Sequence, residues 1–159
     1  MDVPLQELRE YGLVGTCGIS SSLQLKAAMK THRYRVLLVD DHERFRDALR
    51  ALLSYHEDIE VIAEARDGEE AIIQFASCQP DIILMDINMP RMNGIQATNV
   101  IKKSRKDTAI IGLCVVHDIY TVEAFLKAGG LAVVSKERLD DLHPMIQRAC
   151  ASRRSEPPS

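Results

Sequence analysis

Charged residues follow closely after three of the chain's apolar runs. Asp40 and Asp41 follow the first run, Asp86 the third, and Lys136 the fifth. If these runs are parallel strands of one sheet, the four side chains meet at one edge, because the carboxyl ends of such strands lie together. Neighbouring carboxylates repel one another unless a cation lies among them, and oxygen ligands suit Mg²⁺. With a lysine to bind an anionic group, the set indicates phosphoryl transfer, one carboxylate being the nucleophile and the others metal ligands.

Five apolar runs of strand length, rich in Val and Ile, alternate with helix-like segments. The runs are Val36–Val39, Ile59–Ala65, Ile82–Met85, Ile110–Val116 and Leu131–Val134. They are continuously apolar, which is typical of parallel strands that are covered on both faces. Five β–α units favour right-handed crossovers and an open, doubly wound α/β sheet.

The intervening segments carry apolar residues at helical spacing, and these stripes are predicted to face the core. They are Phe45, Ala48, Leu49 and Leu52; Ala71, Phe75 and Cys78; Ile95, Val100 and Ile101; Val122, Phe125 and Leu126; and Leu139, Leu142, Ile146 and Ala149. Residues 1–33 do not share the pattern and predict an N-terminal arm, partly disordered or a short helix. The domain is predicted over 34–150, and the polar segment 151–159 is predicted to be a disordered tail.

The composition excludes several classes of function. A chain of 159 residues is about one domain, and a formal net charge of −3 disfavours a polyanion-binding body. No apolar run reaches the roughly 18 residues of a membrane span, and the first residues do not resemble a signal peptide. Four widely spaced cysteines indicate reduced thiols in a cytosolic protein rather than a zinc site or a disulfide framework. They are Cys17, Cys78, Cys114 and Cys150.

The motifs around the charged residues resemble the receiver domains of two-component response regulators, the CheY-like family. They are Val36–His42, Pro80–Pro90, Met92–Gly94, Ala128–Gly129 and Ser135–Lys136. The Asp-Asp-His and Asp-Ile-Asn-Met-Pro stretches, with His117-Asp118 after the fourth run, are similar in particular to receivers of the NarL/FixJ subfamily. The resemblance covers about residues 34–150. It implies a five-stranded, flavodoxin-like sheet of order 2-1-3-4-5 with helices on both faces.

The resemblance also implies a role for each matching residue. Asp86 would accept a phosphoryl group from a phosphohistidine, and Lys136 would contact a phosphoryl oxygen. Asp40 and Asp41, with Asp86 and the backbone carbonyl of Asn88, would hold Mg²⁺ as the cofactor. Pro90 and Gly94, known as turn residues in any case, would shape the loop after the third strand.

Two positions depart from the family pattern. The family usually has Ser or Thr at the end of the fourth strand, where this chain has Cys114, and Tyr or Phe three residues before the lysine, where it has Val133. We predict that phosphorylation chemistry is retained while the conformational readout is weak or differently built. Simple drift at both positions is an alternative interpretation, and redox sensing by Cys114 is another. Transition-metal binding by His42 and His117 is only weakly indicated.

The sequence therefore predicts a stand-alone, cytoplasmic receiver in a phosphorelay, with an atypical switch at Cys114 and Val133. Its partners would be a sensor histidine kinase or phosphotransfer protein and an unidentified downstream output protein; a homodimer is an open option. It would catalyse only its own phosphotransfer and dephosphorylation, so it is not classed as an enzyme. We expect no membrane contact and no direct nucleic-acid contact, because no DNA-binding module follows Cys150.

Three alternatives accompany this prediction. One is a phosphorylation-independent pseudo-receiver that serves as a docking module, and another is a fragment of a NarL/FixJ-type transcriptional regulator. A phosphatase of the haloacid-dehalogenase type is disfavoured, because such sites need a second aspartate two residues after the nucleophile. Here that position holds Asn88.

Overall fold

A single parallel sheet of five strands organises the protein. The computed structural model describes residues 33–115 and 118–154. The strands are β1 (Tyr34–Val39), β2 (Ile59–Ala65), β3 (Ile82–Asp86), β4 (Ala109–Cys114) and β5 (Ala132–Ser135). Every pairing is parallel and the order is β2-β1-β3-β4-β5. This confirms the predicted doubly wound α/β fold and its strand order.

Five helices connect or follow the strands. They are α1 (Glu43–Ser54), α2 (Gly68–Cys78), α3 (Gly94–Ser104), α4 (Ile119–Lys127) and α5 (Leu142–Arg154). Because α5 continues to Arg154, helical backbone extends four residues past the predicted domain end at Cys150. Among the described residues, no helix has the length and apolar character needed to cross a bilayer.

Most of the predicted arm, including Cys17, lies outside the described residues, as do Val116, His117 and residues 155–159.

The core has one layer on each face of the sheet, since successive strand residues point to opposite faces. Val36 and Leu38 of β1 pack in one layer with α1 and α5. Leu37 and Val39 pack in the other layer with α2, α3 and α4. All four side chains are at most 1% exposed, so the first apolar run is covered on both faces, as predicted. The prediction does not hold for every run, because Glu60 of the edge strand β2 is exposed, and so are Val115 after β4 and Leu131 before β5.

The predicted helix stripes are correct only in part. In α1 the row that faces the sheet is Phe45, Leu49 and Leu53, whereas Ala48 and Leu52 are exposed. Residues four apart form a ridge along a helix, and this ridge is the one that lies on the sheet. Val100 and Leu126, at the edges of the predicted stripes on α3 and α4, are likewise exposed.

Three helices begin with a side-chain cap. Asp67 accepts a hydrogen bond from the backbone N–H of Glu70 at 2.8 Å, and Asp118 accepts one from the N–H of Thr121 at the same distance. Asn93 and Gln96 form a reciprocal capping box at the start of α3. These caps order the loops that follow β2, β3 and β4, the edge at which the predicted site lies.

Candidate functional site

Lys136 joins two buried carboxylates at the carboxyl edge of the sheet. Its Nζ lies 2.6 Å from Asp40 Oδ2 and 2.9 Å from Asp86 Oδ2. Asp40 is 1% exposed and Asp86 is 2% exposed. The structure therefore brings together three of the residues singled out in the sequence, contributed by the ends of β1, β3 and β5.

Backbone hydrogen bonds hold both carboxylates in place. Asp40 Oδ1 accepts from the N–H of His42 at 2.9 Å, and Asp86 Oδ1 accepts from the N–H of Asn88 at 3.1 Å. The N–H of Lys136 donates to the carbonyl of Cys114 at 2.8 Å, which ties the lysine to the end of β4. The side-chain geometry thus follows from turns that begin where the strands end.

Burial decides the protonation behaviour of Asp86. Its pKa is raised to about 6, chiefly because burial disfavours the charged carboxylate; hydrogen bonding and charge from Lys136 oppose the rise, and the charge of Asp40 adds to it. For Lys136, burial lowers the pKa, but its hydrogen bonds and charge interactions with Asp40 and Asp86 outweigh burial and leave the pKa raised. The lysine is therefore charged at neutral pH.

Three carboxylates and one imidazole that could hold a cation lie beside this lysine. The cluster consists of Asp40, Asp41, His42 and Asp86. Each residue offers one ligand atom, and these four atoms lie within 4.8 Å of one another. Asp40 Oδ2 lies 2.6 Å from Lys136 Nζ, and Asp41 Oδ1 lies 2.9 Å from His42 Nδ1. Carboxylate oxygens gathered this closely in a like-charged cluster fit a hard divalent cation such as Mg²⁺.

Two contacts to this cluster were not anticipated from the sequence. The Phe45 ring, predicted only as core, lies with its centroid 4.7 Å from Lys136 Nζ. Arg46 donates to the carbonyl of Asp40 at 2.7 Å and pairs with Glu64 at 3.0 Å. The position of both residues soon after Asp41 is a signal that sequence reasoning could have used.

The loop between β3 and α3 needs glycine at one position. A Cβ on Gly94 would lie 2.2 Å from the carbonyl oxygen of Asp86, so no larger residue fits without moving the backbone. The N–H of Gly94 also donates to the Ile87 carbonyl at 3.0 Å. Arg91 in the same loop has a φ of 64° and forms an ion pair with Asp67, the cap of α2. This ion pair was not predicted, because its members are far apart in sequence.

The two atypical positions lie on neighbouring strands but not opposite each other, since Val133 pairs with Gly112 and Cys114 pairs with Ser135. Cys114 is fully buried, and Val133 is half-buried against the same core layer. The ring of Phe125, from α4, fills the space beside β4: a Cβ on Gly112 would lie 2.9 Å from Phe125 Cε1. Aromatic bulk beside these strands therefore comes from a helix, whereas β5 contributes an aliphatic side chain.

We expect Cys114 to resist alkylation in the folded protein. Burial, followed by the charge of Asp86, raises the pKa of the Cys114 thiol and so disfavours the reactive thiolate. Iodoacetamide at pH 8, followed by peptide mass spectrometry, should modify half-buried Cys78 before Cys114, and should reach Cys114 only after unfolding. Equal modification rates for the two would instead support the redox-sensing alternative.

Comparison with known proteins identifies the family to which this fold belongs. Residues 36–147 match the response regulator receiver domain family. The chain is 44% identical over 102 residues to the transcriptional regulatory protein LiaR of Bacillus subtilis, covering 64% of this chain and 48% of LiaR. It is 33% identical over 117 residues to the nitrate/nitrite response regulator protein NarL of Escherichia coli, and this match covers 73% of this chain and 54% of NarL. The chain spans about half the length of these curated relatives.

Solved structures give the same assignment. The response regulator domain of Thermotoga maritima CheB matches with a TM-score of 0.69 and 29% identity, covering 79% of this chain and 99% of that one. A chain in the crystal structure of the CheX–CheY–BeF3–Mg²⁺ complex from Borrelia burgdorferi matches with a TM-score of 0.66 and 27% identity. This match covers 77% of our chain and 90% of that chain. The chain therefore belongs to the response regulator receiver family, the signalling domains of two-component systems.

Proposed function

We propose that this receiver accepts a phosphoryl group on Asp86 and transmits the signal by protein–protein contact. The observation that carries the proposal is the buried Asp40–Lys136–Asp86 cluster, in which one cation contacts two carboxylates. The donor would be a sensor histidine kinase or a phosphotransfer protein, because two-component receivers work with such proteins.

The chemistry is a displacement at phosphorus. A carboxylate oxygen of Asp86 attacks the phosphoryl group of a phosphohistidine; the new P–O bond forms as the P–N bond breaks, and the imidazole leaves with that electron pair. The Lys136 ammonium, already oriented by Asp40, is placed to bind a phosphoryl oxygen. In the phosphorylated protein this contact would replace its present contact with Asp86 Oδ2.

Mg²⁺ is the cofactor that the residues fit. Asp40, Asp41 and Asp86, with the backbone carbonyl of Asn88, would hold it. When bound, Mg²⁺ supplies positive charge that neutralises the carboxylates and the incoming phosphoryl oxygens. The convergence of the Asp40, Asp41 and Asp86 carboxylates supports this assignment, as does the presence of Mg²⁺ in the related CheX–CheY complex from Borrelia burgdorferi.

The conformational change that reports phosphorylation would differ from the one that is usual in the family. A thiol is a weaker hydrogen-bond donor than a hydroxyl, so Cys114 would hold a phosphoryl oxygen less firmly than Ser or Thr. Val133 has no ring to swing between buried and exposed positions. We infer that movement of the backbone around β4 and β5 transmits the signal to a separate output protein. The receiver domain would span residues 34–150 and would act in the cytoplasm.

Phosphorylation can be tested directly with acetyl phosphate as donor. Intact-mass spectrometry of the full chain with Mg²⁺ should show the addition of one phosphoryl group, and EDTA should prevent it. Asp86→Asn should abolish the addition, because an amide is not a nucleophile under these conditions. The control Asp47→Asn, at a half-exposed carboxylate of α1, should behave like the unmodified protein.

Two results would contradict the proposal. Phosphoryl addition that persists in Asp86→Asn would place the acceptor elsewhere. A folded, Mg²⁺-supplied protein that takes up no phosphoryl group would instead support the phosphorylation-independent docking alternative, which the departures at Cys114 and Val133 favour.

A further inference from the structure

A second cluster of ligand-type side chains lies at the opposite edge of the sheet. It consists of His56 after α1, Asp58 immediately before β2 and His143 in the first turn of α5. One ligand atom from each lies within 4.8 Å of the others, and all three residues are half-buried. Residues distant in sequence thus present two imidazoles and a carboxylate at one place.

The contacts within the cluster are well defined. The rings of His56 and His143 are stacked, with centroids 3.7 Å apart and an interplanar angle of 12°. His143 Nε2 lies 2.9 Å from Asp58 Oδ1 and 3.2 Å from Oδ2. Gln147, one turn further along α5, donates to Asp58 Oδ2 at 2.9 Å. The carboxylate is therefore oriented by a neighbour outside the cluster, as metal-ligating carboxylates commonly are.

The ligand chemistry differs from that of the Asp40–Asp86 region. Imidazole nitrogen suits zinc and its neighbours among the divalent transition metals, whereas Mg²⁺ prefers oxygen alone. Two imidazoles and one carboxylate form a three-ligand set, which leaves room for water in a fourth position.

We propose that His56, Asp58 and His143 form a binding site for a divalent transition-metal ion of the zinc class. The ion would replace the hydrogen bond that now joins His143 to Asp58. One imidazole would have to rotate out of the present stack, so that a nitrogen of each ring points at the ion at about 2.0–2.2 Å. It would connect α5 to the loop between α1 and β2. This site is separate from Asp40 and Asp86, since β1 and β2 run in parallel with Tyr34 opposite Ile59 and Val39 opposite Ala65.

The test is calorimetric titration of the tag-free, chelator-treated full chain with Zn²⁺, in the presence of excess Mg²⁺ to fill the acidic site. One saturable Zn²⁺ site is expected. His56→Ala and His143→Ala should each weaken its affinity at least about tenfold, the scale seen on disturbing metal ligation. Asp47→Asn, which removes a half-exposed carboxylate of α1 that belongs to neither cluster, should leave this affinity unchanged.

Thermal unfolding provides an independent readout. Zn²⁺ should raise the melting temperature of the unmodified protein and of Asp47→Asn, because binding only to the folded state stabilises that state, but it should not raise the melting temperature of His56→Ala. If His143→Ala fails to fold, Asp58→Asn replaces it in both measurements, because asparagine has the same shape as aspartate. The proposal is overturned if the unmodified protein shows no saturable Zn²⁺ binding. It is equally overturned if binding survives unchanged in the folded His56 and Asp58 variants, since the cluster would then be a hydrogen-bonded contact only.

Discussion

Lys136→Ala is expected to lower the free energy of unfolding by about 3 kcal/mol at pH 8 without Mg²⁺. The substitution removes the cation between Asp40 and Asp86, both of which are buried. An uncompensated buried charge costs roughly 3–5 kcal/mol, and we expect the lower end because Asp86 can take up a proton instead. The loss of the contact between the lysine and the Phe45 ring acts in the same direction.

Urea unfolding followed by circular dichroism measures this effect. The control is Lys127→Ala, which removes an exposed lysine paired with Glu123 within α4 and should change stability by no more than about 0.5 kcal/mol. Adding Asp86→Asn to Lys136→Ala should restore part of the loss, because one of the two unpaired charges is then gone. Equal effects of Lys136→Ala and Lys127→Ala would show that the buried ion pairs contribute nothing to folding.

Asp86→Asn is expected to stabilise the metal-free protein at neutral pH by up to about 3 kcal/mol. Folding raises the pKa of Asp86 from 3.8 to about 6, so the ionised carboxylate is less favourable in the folded state than in the unfolded chain. A pKa difference of this size between the folded and unfolded states corresponds to about 3 kcal/mol of unfolding free energy. Asparagine has no charge to bury, so the variant avoids this cost.

The pH dependence has a definite sign. Between about pH 4 and pH 6, folded Asp86 holds a proton that the unfolded chain has released. Stability from this group therefore falls as pH rises through that interval and is constant above it. The difference between Asp86→Asn and the unmodified protein should accordingly be near zero at pH 4 and largest at pH 7 and above.

Unfolding measured from pH 4 to pH 8 with EDTA checks this expectation, and the difference between the two proteins cancels the titration of groups that they share. Adding Mg²⁺ should reduce the difference in unfolding free energy between the two proteins at pH 8, because the cation favours the ionised Asp86 carboxylate. A variant that is less stable than the unmodified protein at pH 8 would show that the Lys136–Asp86 attraction exceeds the cost of burial.

Much of the site could be predicted because it depends on local order along the chain. Asp40 and Asp86 follow strands that are recognisable as apolar runs, and parallel strands bring their carboxyl ends to one edge. The choice of helix face was less predictable. Ala48 and Leu52 satisfy a helical period as well as Leu53 does, and only packing against the sheet decides which row is covered.

The sequence by itself determined the alternation of strands and helices, the order of the sheet through its family motifs, and the acidic and basic residues at the strand ends. These features follow from side-chain periodicity and from short motifs, which are local properties. Only the tertiary structure decided that Lys136 contacts both Asp40 and Asp86, and that His143 meets Asp58. Such contacts join residues far apart in the chain, so they depend on how the helices pack on the sheet rather than on neighbouring residues.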